Sequence, residues 1–171
     1  MQLESSQFYH LNNRSNRGLI VYQTTSNYNY FLFKVEKEWK PYFDIVAYCL
    51  MPTHFHFIVH TPPKIIIPKT NYAVGKLLSS YTRAMNKEFE THGSLFQRKT
   101  SVINLYIDEP EYIEIFAPNI YAKNCFNYIH QNPDEAGLVI KPEDWLYSFL
   151  TMNTSEKRKL KDCVMLNWAR N

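Results

Sequence analysis

The chain has 171 residues, of which 45% are hydrophobic and 16% aromatic, enough for one domain with a substantial core. A formal net charge of +3 and a pI of about 8.6 allow a nucleic-acid partner without requiring one. No apolar run approaches the ~18–20 residues of a membrane span, and Met1 to Ser6 lack a signal-peptide pattern, so a soluble, cytoplasmic protein is expected.

In chain order, residues 7–11 predict a first strand, followed by a polar loop over residues 12–18 that carries Arg14 and Arg17. That loop is either a phosphate contact or a solvated turn. Tyr28, Phe31, Leu32, Val35 and Trp39 recur at helical spacing and predict an amphipathic helix. Residues 42–50 read as a buried strand, Pro52 punctuates it, and residues 53–60 return as its antiparallel partner. On that second strand the period of two puts His54 and His56 on one face and Phe55 and Phe57 on the other. The His54 and His56 Cα atoms then lie about 6.5–7 Å apart, from which two imidazoles can converge on one metal ion. His60 shares the face but lies about 13 Å along the strand, too far for the same ion.

Residues 61–70, with three prolines and Ile65, Ile66 and Ile67, predict an extended connection. Over residues 71–90, Val74, Leu77, Leu78, Tyr81, Met85 and Phe89 form an apolar helical stripe, while Lys76, Ser80, Arg83 and Lys87 form a basic one. Arg98 and Lys99 precede a strand predicted over residues 101–107, and together these cations could track a phosphate backbone. Residues 108–118 form an acidic, proline-bounded insertion. Asn119 offers an N-cap for a helix ending at Asn132, because Pro133 disfavours helical geometry before it. Tyr121, Cys125, Tyr128 and Asn132 share one face of that helix, and His130 lies about 200° around from Tyr128, in a structural position. Cys49, Cys125 and Cys163 are widely spaced with no Cys-x-x-Cys pair, as reduced core residues would be.

Five ordered motifs carry a resemblance. They are Phe8-Tyr9-His10 with Asn13-Arg14; Tyr48-Cys49-Leu50-Met51-Pro52-Thr53-His54-Phe55-His56; Leu95-Phe96-Gln97-Arg98; Tyr128-Ile129-His130-Gln131-Asn132-Pro133 with Ala136-Gly137-Leu138-Val139; and Trp145-Leu146-Tyr147-Ser148-Phe149. In this order the chain resembles the single-tyrosine HUH transposases, the insertion-sequence 200-like group, and most of all the REP-associated tyrosine transposases. The resemblance implies an α+β, ferredoxin-like sandwich whose central antiparallel sheet carries the histidine pair. It implies one catalytic domain within residues 1–150; residues 151–171 lie beyond the resemblance and read as a basic tail or short helix, in which Leu160, Val164 and Trp168 share a side by spacing.

The function so implied is cleavage and rejoining of single-stranded DNA near hairpins. His54 and His56 would bind a divalent metal, Mg2+ or Mn2+, with Asn132 as third ligand and Tyr128 as the nucleophile that forms a 5′-phosphotyrosine link. Arg14, Arg17, Lys76, Arg83, Lys87, Arg98 and Lys99 are the expected DNA contacts. Asp134 and Glu135 depart from the family's basic character after the Asn-Pro pair. The resemblance allows a monomer, or a homodimer with the tyrosine delivered in trans. Two alternatives stand beside it: a replication-initiator-like HUH nickase and a catalytically silent nucleic-acid-binding module.

Overall fold

The computed structural model describes residues 2–105 and 120–151. Its elements run β1 (Phe8–Arg14), α1 (Thr25–Glu38), β2 (Asp44–Met51), β3 (His54–His60), α2 (Ile67–Glu88), β4 (Ser101–Asn104) and α3 (Ile120–Glu135). The four strands form one antiparallel sheet in the order β2-β3-β1-β4. The insertion over 108–118, Asn119, residues 106–107 of the expected last strand, Cys163 and the tail beyond Thr151 lie outside the described residues.

The period-two alternation divides the sheet chemically. Phe55 and Phe57, with their cross-strand partners Leu50 and Tyr48 on β2 and Leu11 on β1, point to one face. There Phe31 and Trp39 from the α1 region pack on Phe55 and Phe57, and Tyr81 of α2 and Phe96 complete an aromatic core. Thr24 caps α1 in a capping box with Asn27. The Asn27 amide also donates to the Glu88 carboxylate at 3.1 Å, joining the start of α1 to the end of α2.

Three expected boundaries move. β1 extends to Arg14 because it pairs residue by residue with β3 as far as His54, so residues 12–14 belong to the sheet rather than to a loop. α2 begins four residues earlier than the expected 71, with Pro68 in its first turn, where a missing N–H leaves nothing unpaired. α3 runs through Pro133 to Glu135. It closes just beyond, where Gly137 takes φ +67° and the Gly137 and Leu138 amides donate to the Asp134 and Pro133 carbonyls at 2.8 and 2.9 Å. This left-handed closure recovers carbonyls at the helix end, beside the one amide that proline removes.

Residues 145–149 run along the free edge of β2. The Leu50 amide donates to the Tyr147 carbonyl at 2.9 Å, Cys49 bridges Ser148, and the Trp145 indole donates to the Leu50 carbonyl at 2.9 Å. The Tyr147 ring stacks on Tyr28 of α1 with centroids 3.6 Å apart.

Candidate active site

The other sheet face carries His54 and His56. Antiparallel register places Arg14 opposite His54 and Asn12 opposite His56, on the same face. From the other side Met51 faces His54 and Cys49 faces His56. The two imidazoles sit nearly perpendicular, with centroids 5.0 Å apart. α3 packs against β2 and brings Tyr128 over the pair, its ring 5.7 Å from that of His56 and edge-on to it. Tyr128 itself is 44% exposed. One turn on, the Asn132 amide donates to the Tyr128 carbonyl at 2.8 Å. The histidine pair, Tyr128 and Asn132 of a single chain are thus brought together.

Each imidazole is held by its Nδ1. Thr53 Oγ1 lies 3.1 Å from His54 Nδ1, and His10 Nε2 lies 2.8 Å from His56 Nδ1. Both Nε2 atoms are buried and, among the described residues, lack a hydrogen-bond partner of ordinary geometry. Burial lowers the pKa of His56 to about 3, helped by His10, His54 and the Arg14 guanidinium. Burial also lowers that of His54, followed by Arg14, while the Asn132 amide acts in the opposite sense. The pair is therefore neutral at ordinary pH, the state in which imidazole nitrogen can ligate a metal. Cys49 adds no thiolate, because burial pushes its thiol up to about 12. Among the described residues no cluster of three or more His, Cys, Asp or Glu side chains could hold an ion.

The cations are distributed unevenly. Arg14 is exposed beside His54, and Arg17 follows in a short 3-10 turn at φ 55°. Arg83 and Lys87 are exposed on α2. Lys76 forms an ion pair with Glu38 of α1 at 2.7 Å. Arg98 and Lys99 line a cavity of about 750 Å³ with Tyr9, Asn71, Val74 and Leu78, on the side of the sheet away from the histidines. His60 is bonded to Asp44 at 3.2 Å.

Two contacts carry no signal in residue spacing. His10 reaches His56 only because the β1–β3 register makes them diagonal neighbours on one face. Ser148 holds α3 from behind, with its hydroxyl 2.8 Å from His130 Nδ1.

The described residues thus form an α+β protein that gathers a buried histidine pair and a helix-borne tyrosine on one face of an antiparallel sheet. The chain belongs to the IS200-like transposase family, whose model matches residues 7–114. That match includes the histidine pair and stops short of Tyr128. Among solved structures, the fold is similar to a REP-associated tyrosine transposase bound to a REP hairpin, at 18% identity and TM-score 0.59, covering 88% of this chain and 80% of that one. A putative transposase from Deinococcus radiodurans R1 also matches at 18% identity and TM-score 0.43, covering 72% of this chain and 94% of that one. None of the curated proteins compared with the chain matches it.

Proposed function

We propose that the chain is a metal-dependent single-stranded DNA transposase and endonuclease that cuts and rejoins DNA beside hairpins through a 5′-phosphotyrosine intermediate. The observation that carries this reading is the meeting of the Tyr128 ring with His56, whose Nε2 is buried and turned away from its Nδ1 partner. Family membership supports the same reaction class, and the structurally similar REP-associated transposase was solved with a hairpin. The strand–helix–strand–strand–helix–strand order and the β2-β3-β1-β4 sheet support a ferredoxin-like sandwich as the scaffold.

The residues fit a divalent ion. Two neutral imidazoles present buried Nε2 atoms that, among the described residues, lack a hydrogen-bond partner of ordinary geometry, and Asn132, close to both Tyr128 and His54, would supply an amide oxygen. Mg2+ or Mn2+ would suit the site, with oxygens of water or phosphate completing the shell. When bound, the ion would supply Lewis-acid stabilisation of charge on the phosphate.

Tyr128 Oη would form a bond to phosphorus as the P–O3′ bond breaks. The phenolic proton passes to solvent and the departing 3′ oxygen takes one up, leaving a free 3′-hydroxyl and the 5′ side bound to tyrosine. The new linkage is again a phosphodiester, so attack by another 3′-hydroxyl can reverse the step without a nucleotide cofactor. Arg14, beside His54, would offer a forked donor to the phosphate oxygens. Arg17, Arg83, Lys87, Arg98, Lys99 and the shared Lys76 would hold flanking strand.

The test is incubation with labelled hairpin-bearing single-stranded DNA and Mn2+ or Mg2+, followed by a denaturing gel. A covalent adduct is expected in wild type and absent in Tyr128→Phe and His56→Ala. Salt-sensitive binding with no adduct on any hairpin substrate would instead identify a binding module.

A further inference from the structure

His10 belongs to the face of β1 that looks onto the histidine pair, and both it and His56 are almost fully buried, at 5% and 3% exposure. Their rings lie within 19° of parallel with centroids 5.0 Å apart, and His10 Nε2 is 2.8 Å from His56 Nδ1. One proton must lie between these two nitrogens, and its position decides what His56 offers to the site. With the proton on His56 Nδ1, the neutral ring presents a bare lone pair at Nε2. With the proton on His10, neutral His56 carries its own hydrogen at Nε2 and has no lone pair there to give.

We propose that His10 is a positioning residue that accepts from His56 Nδ1–H and so fixes the His56 ring in the tautomer with a bare Nε2. The inference rests on the metal-site reading for its consequence, but the tautomer itself can be observed without metal. The His56 Nε2 atom is buried without a hydrogen-bond partner among the described residues, as a lone pair awaiting a cation would be. A metal-binding histidine commonly donates its second N–H to a carboxylate, a carbonyl or water. Here the acceptor is a neutral imidazole, which fixes the ring without adding negative charge. It therefore leaves the ligand less basic than a carboxylate would, and the ion more readily exchanged.

The test compares wild type with His10→Phe and His10→Gln, the latter offering an amide oxygen as acceptor near the site of the lost nitrogen. Two-bond 15N correlations of the His56 ring, recorded without metal, should show Nδ1–H in wild type and in His10→Gln and lose it in His10→Phe. In Mn2+ titrations without DNA, His10→Phe should bind about 10–100-fold more weakly, with His10→Gln recovering most of the loss. An Nε2–H tautomer in wild type, or an unchanged His56 tautomer in folded His10→Phe, would overturn the inference. If wild type takes up no Mn2+ yet His56 is Nδ1–H and loses that state in His10→Phe, the metal reading fails and the role of His10 stands.

Discussion

At His10 and His56 burial acts against protonation, lowering the pKa from 6.5 to about 4 and about 3 respectively. Unfolded histidines titrate near 6.5, so below that pH the unfolded chain takes up protons that the native rings refuse. Stability is full above pH 6.5 and falls as pH drops towards the native values, by up to about 1.4 kcal/mol per pH unit for each ring. Urea unfolding of the metal-free protein at about pH 7 and about pH 5 should show this loss, and His10→Phe should lessen its slope. Asn132→Ala should weaken Mn2+ binding and adduct formation while leaving hairpin binding close to wild type, a split that gel-shift and denaturing-gel assays would separate. At this scale the histidine pair was legible because strand parity alone puts two imidazoles on one face. The His10 contact was not, because residues 46 apart meet only through sheet register, which no local periodicity encodes.

Among the elements, α3 matters most for the site. Its position depends on the Ser148–His130 contact behind it and on the left-handed turn at Gly137 beyond it. Ser148→Ala would leave a buried imidazole nitrogen without its hydroxyl partner and should cost about 1–3 kcal/mol in denaturant unfolding, with a reduced adduct yield as α3 loosens. Gly137→Ala forces a Cβ into a left-handed conformation and should cost about 1–2 kcal/mol by the same measurement. The amphipathic stripes of α1 and α2 were readable from helical spacing. The ends of α2 and α3 are less so, because a proline near a periodic segment ordinarily marks a helix boundary. Pro68 is accommodated in a first turn, and Pro133 in a last turn closed by Gly137.

For the whole molecule, two chemically different sheet faces divide stability from function. The aromatic face bears the load of folding: Phe31, fully buried among Phe55, Phe57, Tyr81 and Phe96, should cost about 3–5 kcal/mol when cut to alanine, measured by thermal or urea unfolding. The sheet's hairpin and strand content were legible from alternation and Pro52, whereas the strand order was implied only by the family resemblance. The edge of β2 shows what that order entails. Strands at a sheet margin present unpaired amides and carbonyls to any other chain in solution. Here residues 145–149 cover that margin at Cys49 and Leu50 and seal it with an indole and a stacked tyrosine. A chain cut before Trp145 would uncover adhesive backbone beside apolar Leu50 and Tyr28, and its first defect should be self-association, visible by light scattering before any loss of secondary structure.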